Sequence, residues 1–126
     1  MELQAHTELQ GELLVTTATG TVAFEPALQI LKGICDMAAE KRVHKILVDT
    51  LALDGTFSTF ERYELAVQVT EHLRQLQFNP RLAFVGRPPT SDGFAVRVAQ
   101  NRDVSVELFP SVEQALRWLA TWPAPR

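Results

Sequence analysis

The period of the apolar positions changes repeatedly along the chain, and each change marks an element. Leu13-Leu14-Val15-Thr16-Thr17 is rich in β-branched and apolar residues and follows the turn signal Gln10-Gly11, which predicts a strand. Leu3 to Thr7 is placed to pair with Glu12 to Thr19 as a hairpin, and Gly20 interrupts the segment. Glu25-Pro26 then supplies the acidic residue and the proline with which helices begin. Leu28, Leu31, Cys35 and Ala38 form a helical stripe flanked by Ile30, Ile34 and Met37, and Lys41 and Arg42 suit the negative end of that helix.

Ile46-Leu47-Val48 and Leu82-Ala83-Phe84-Val85 are continuous apolar runs, the pattern of strands covered on both faces. Between them Leu65, Val69, Leu73 and Leu76 recur at helical spacing until Asn79-Pro80. A third helix spans about Asp92 to Asn101, with Phe94, Val98 and the small Ala95 and Ala99 inward. Val104 to Phe109 alternates as an edge strand does. Ser111 opens a last helix with Val112, Ala115, Leu116 and Leu119 inward and Trp118 anchored on the sheet, and Trp122 to Arg126 cannot continue it. The order ββαβαβαβα predicts a single α/β domain over residues 1–126. Its sheet is mixed but mostly parallel, four- to five-stranded, with an N-terminal β-hairpin and four helices.

Composition narrows the classes of function. At 126 residues and 46% hydrophobic content the chain is sized for one ordinary core. A formal charge of -3 argues against nucleic acid or an anionic membrane as partner. No apolar run reaches the roughly 18 residues of a membrane span, and the N-terminus lacks the basic and apolar regions of a secretory signal, so the expectation is a cytoplasmic protein. Cys35 lies in an apolar helical pattern and reads as a small buried hydrophobe. His6, His44 and His72 have no metal-site spacing, so neither a metal nor a cofactor is expected. Asp49 ends the apolar strand without a second ligand and reads as a cap of the turn that follows. No nucleophile elbow, Walker loop or dinucleotide fingerprint is present, so the chain is not expected to be an enzyme.

The candidate chemistry lies in two loops at strand ends. Asp54 to Thr59 is a polar turn, and Ser58-Thr59-Phe60-Glu61 has the form of a capping box, in which Ser58 and Glu61 satisfy each other's backbone N–H groups. Phe57, Phe60 and Tyr63 are expected to be core; exposure of two of them would make the turn a hydrophobic contact surface. The second loop, Gly86 to Gly93, carries Arg87, Thr90 and Ser91, with Arg97 one or two turns on. Together these four are a candidate anion site, or else Thr90 or Ser91 simply caps the helix.

Gly20-Thr21-Val22, Lys45-Ile46-Leu47-Val48-Asp49, Arg81-Leu82-Ala83-Phe84-Val85-Gly86 and the ending Phe109-Pro110-Ser111-Val112-Glu113-Gln114-Ala115-Leu116-Arg117-Trp118-Leu119 occur in this order along nearly the whole chain. With them the chain resembles the STAS family, which includes bacterial anti-sigma-factor antagonists, and more closely its STAS/SEC14-like branch. The resemblance implies a STAS-like fold and a non-enzymatic regulatory module with a protein partner. In the antagonists an Asp-Ser-Ser-Gly motif opens the helix after the third strand, and its second serine is phosphorylated. The matching positions here are Phe57, Ser58, Thr59 and Phe60, so Thr59 inherits the phosphate position with Ser58 beside it, while phenylalanines replace the Asp and the Gly. Thr56, Phe57, Phe60 and Tyr63 are then the partner-binding residues. The branch also resembles lipid-binding domains, so the alternative is a small apolar or anionic ligand held at the carboxyl ends of the strands. The edge strand, the last helix and the tail with Trp122 are the surfaces offered for a homodimer.

Overall fold

A computed structural model of the chain describes residues 1–121, and the tail with Trp122 lies outside them. Its elements follow the predicted order: β1 (Gln4–Gln10), β2 (Leu13–Thr21), α1 (Phe24–Lys41), β3 (Lys45–Asp54), α2 (Thr59–Leu76), β4 (Arg81–Val85), α3 (Phe94–Gln100), β5 (Ser105–Phe109) and α4 (Val112–Ala120). The strands lie side by side in sequence order, β1-β2-β3-β4-β5. β1 and β2 are antiparallel and the remaining pairs are parallel, as expected of a hairpin followed by βαβ units.

That order decides where the helices go. Each crossover from β2 to β5 steps in the same direction, and right-handed connections stepping one way place their helices on one face. α1, α2 and α3 accordingly share a face, where Ile34, Cys35, Ala38 and Leu73 pack with Leu14, Ile46, Val48, Leu82 and Val106. Among the described residues α4 is the helix on the other face, setting Ala115 and Leu119 on Leu47, Ala83 and Val85. Trp118 anchors α4 as expected, with its ring 5.5 Å from that of Phe109 and the Arg81 guanidinium 3.9 Å above it. Burial among apolar neighbours pushes the Cys35 thiol up to about 12. No helix among the described residues is long and apolar enough to cross a membrane.

The structure corrects the sequence reading at five places. β2 does not stop at Gly20 but runs to Thr21. Gly20 sits at φ 101°, and a Cβ there would fall 2.2 Å from the Glu2 carbonyl oxygen, because the N-terminal segment lies directly against it. β3 does not end at Asp49 but continues to Asp54. α3 begins at Phe94 rather than Asp92, since the Asp92 carboxylate accepts from the Phe94 N–H at 3.0 Å and Gly93, at φ 88°, forms the entry. Met37 on α1 and Leu116 on α4 face solvent instead of the core.

The β3 extension matters for the site. Thr17 pairs with Asp49 but Thr19 pairs with Ala52, so β3 carries an extra residue opposite β2. Such a bulge bends the strand and resets which side chains share a face. Val48 before it, Thr50 within it and Leu53 after it all reach the α1–α3 side. Asp49 uses its carboxylate locally, accepting from the Leu51 N–H at 3.0 Å inside the bulge.

Candidate functional site

The β3–α2 turn and the Gly86–Gly93 loop meet over the carboxyl ends of the strands. The turn enters α2 through the complete capping box: the Glu61 N–H donates to Ser58 Oγ at 3.1 Å, and the Ser58 N–H donates to Glu61 Oε1 at 2.9 Å. The Ser58 hydroxyl is thereby engaged, whereas that of Thr59, exposed in the first turn, makes no hydrogen bond among the described residues. Its backbone is helical, not strand, and stands at the positive end of an 18-residue helix.

The three aromatics of this segment part company. Phe57 is half-buried and turned toward the interior, as expected. Phe60 is 71% exposed and Tyr63 39% exposed, which overturns the expectation that they are core. Helix geometry accounts for Phe60: α2 buries Leu65, Ala66, Thr70 and Leu73, and position 60 falls on the opposite side, whereas Tyr63 stands at the flank of the buried stripe, one turn before Ala66, in the first turn of the helix. Arg102 lies against Tyr63: its guanidinium carbon is 5.5 Å from the ring centroid and its Nη2 donates to the phenol oxygen at 3.3 Å.

Arg62, which sequence reasoning did not single out, ties the two loops together. Its side chain is only 13% exposed and forms an ion pair with Asp92. Its Nε donates to the Phe57 carbonyl at 3.1 Å, and its Nη2 donates to the Pro89 carbonyl at 2.8 Å and to the Thr56 hydroxyl. Thr56 Oγ1 in turn donates to the Pro89 carbonyl at 3.0 Å, and Thr90 Oγ1 donates to the Gly55 carbonyl at 2.7 Å. The Phe94 N–H and then the Arg62 charge hold the Asp92 carboxyl below its ordinary range. Gly86 permits this junction, because a Cβ there would lie 2.6 Å from Thr50 Oγ1 and 2.8 Å from Ser91 Oγ.

The four residues of the candidate anion site are not assembled for that task. Arg87 donates to the Pro110 carbonyl at 3.3 Å, and Arg97 lies against Gly93. Thr90 turns to Gly55, and Asp92, not Thr90 or Ser91, meets the entry of α3. An anion would encounter a carboxylate already in place. Elsewhere His6 pairs with Glu8 at 3.0 Å and His72 with Asp36 at 2.7 Å, while the His44 ring packs 5.0 Å from that of Phe78. Among the described residues no group of three or more His, Cys, Asp or Glu side chains is arranged to hold a metal ion.

Below the Arg62 junction, between the sheet and helices α1, α2 and α3, lies a cavity of about 170 Å³. Its wall is almost wholly apolar, and small residues from every layer make the room: Ala18, Ala27, Ala66, Ala95 and Ala99. Thr50, Phe57, Arg62 and Ser91 form its rim at the strand ends.

No family model matches the chain, and no curated protein matches it. Solved structures do. An anti-sigma factor antagonist from Mycobacterium paratuberculosis aligns with a TM-score of 0.63 at 15% identity, over 94% of this chain and 95% of that one. The anti-sigma factor antagonist SpoIIAA in its unphosphorylated form gives 0.54 at 14% identity, over 96% and 100%. An uncharacterized protein of the DUF3478 family from Shewanella loihica PV-4, with a SpoIIAA-like fold, gives 0.51 at 19% identity, over 93% of each chain. Identities this low speak to architecture alone, and alignment over nearly the full length of all three gives the chain the SpoIIAA-like, STAS-type fold.

Proposed function

We propose that this chain is a non-enzymatic regulatory module that docks a protein partner through the start of α2, with Phe60 and Tyr63 as its apolar contacts. The observation that carries the reading is the 71% exposure of Phe60, one helical step from the half-exposed Tyr63, on a turn whose backbone is fixed by a capping box and by Arg62. Aromatic side chains held on a rigid scaffold lose little entropy on contact and anchor interfaces well. The structural neighbours, two of them anti-sigma factor antagonists, make a regulatory protein of the anti-sigma-factor kind the class of partner to seek.

Docking here is apolar in the first instance. Ser58 is committed to its cap, and Phe57 and Phe60 occupy the positions flanking the two hydroxyls. Thr59 is the hydroxyl left available for modification, and a phosphate on it would set strong negative charge beside the Phe60 contact. The test is affinity capture from cells of the source organism with four baits: the unaltered chain, Phe60→Ala, Thr59→Glu and, as a control on α4, Glu113→Gln. A protein retained by the unaltered chain and by Glu113→Gln but lost from Phe60→Ala and Thr59→Glu is expected, with Tm values within about 2 °C because neither altered side chain is packed. Identical retention by all four baits refutes the proposal.

A further inference from the structure

We infer that the cavity under Arg62 is a binding site for a small uncharged hydrocarbon-rich molecule of about six to ten non-hydrogen atoms, such as an alkylbenzene or an alkylphenol. Three observations fix that class. The volume of about 170 Å³ is close to the roughly 150 Å³ at which an engineered apolar cavity in another protein stays dry and takes up benzene. The wall is built from side chains such as Leu65, Val69, Val96 and Leu108, against which an ion would find no solvation.

The polar groups at the rim are the third observation. Arg62 and Asp92 neutralise each other, and the other Arg62 bonds end on Phe57, Pro89 and Thr56, so a carboxylate or phosphate would meet a guanidinium whose charge is already paired. The lining hydroxyls of Thr50, Thr70 and Thr90 donate to the carbonyls of Val85, Ala66 and Gly55, and that of Ser91 makes no hydrogen bond among the described residues. Three oxygens that keep only acceptor capacity and one free hydroxyl suit a single phenolic or alcoholic O–H on an otherwise apolar frame. The cavity is a product of small side chains set opposite one another and not of a loose core, since Leu14 and Ile46 on the same face of the sheet are fully buried. This site is independent of the docking face, which lies on the outer side of α2.

The experiment compares toluene, 4-methylphenol and hexanoate, each at about 1 mM, in thermal melts of the unaltered chain, Ala99→Leu and Ala27→Leu. The two substitutions fill the cavity from different helices. Toluene or 4-methylphenol is expected to raise Tm by about 6 °C, the shift given by a ten-fold excess over Kd in a domain of this size, and hexanoate by less than 1 °C. Both filled variants are expected to lose the response. Methyl spectra of the unaltered chain keep the inference decidable should the variants fail to fold: changes confined to Val69, Val96, Ala99 and Leu108 support it. No shift with either neutral probe, an equal shift with hexanoate, a response retained by the filled variants, or methyl changes elsewhere overturns it.

Discussion

Replacing Arg62 with alanine removes one side chain from a junction that joins three segments of the chain. The guanidinium gives up its bonds to the Phe57 and Pro89 carbonyls and the Thr56 hydroxyl as well as the Asp92 pair. Asp92 is 46% exposed, so that pair is screened and adds little. The carbonyl bonds matter more, because the Arg62 side chain is 13% exposed and a hydrogen bond from a charged donor contributes about 1.5 kcal/mol. Two such bonds, the Phe57 one part-buried and the Pro89 one exposed, give a loss of about 2 to 3 kcal/mol. For a domain of this length that is a fall in Tm of about 8 to 12 °C, readable by calorimetry or by the urea midpoint. Arg62→Lys keeps the charge but not the fork, and should recover less than half of the loss. The depressed Asp92 carboxyl adds stability present above its unfolded value near pH 4 and lost as pH falls through its lower folded value. The gap between the two proteins should therefore narrow only under acid. An Arg62→Ala protein melting within about 3 °C of the unaltered one at pH 7 would show that the loops are held by something else.

Two further outcomes follow from the local chemistry. Ser58→Ala, which opens the capping box, should cost about 1 kcal/mol and lower Tm by about 4 °C, whereas Ser58→Asp, still a good cap, should melt close to the unaltered chain; equal losses in both would contradict the capping role. Cys35 should resist thiol reagents at pH 8 until urea unfolds the chain. Its folded thiol is raised to about 12 from an ordinary 9.0, so the stability it brings is complete below pH 9 and is lost as pH rises toward 12. Relative to Cys35→Ala, the unaltered protein should lose about 1.4 kcal/mol between pH 8 and pH 10, measured by urea unfolding.

Element order and sheet type were legible because they rest on local signals: continuous apolar runs at Ile46–Val48 and Leu82–Val85, and helical stripes between them. The capping box was legible for the same reason, its two partners being three residues apart. What escaped depended on distance in sequence. Nothing near Arg62 announces that Pro89 and Asp92 return to it. The outward aim of Phe60 and Tyr63 depends on which face of α2 the sheet takes, and the alternation Thr50-Leu51-Ala52-Leu53 reads as strand only once β2 is beside it to accept the bulge. A cavity is missing volume, and sequence hints at it only through small residues at inward positions. Ala95 and Ala99 were such hints, but Ala18, Ala27 and Ala66 had to be brought opposite them by the fold.

The placement of α4 across the sheet from the other three helices has an evolutionary consequence. Ile46 and Val48 face the three-helix layer while Leu47 between them faces α4, so one strand serves two apolar neighbourhoods that share backbone but not buried side chains. Substitutions that share no partners act almost independently. Lineages can therefore reshape the guest chamber on one side while the other keeps the strands in register, a division that separates heritable change in specificity from heritable change in foldedness.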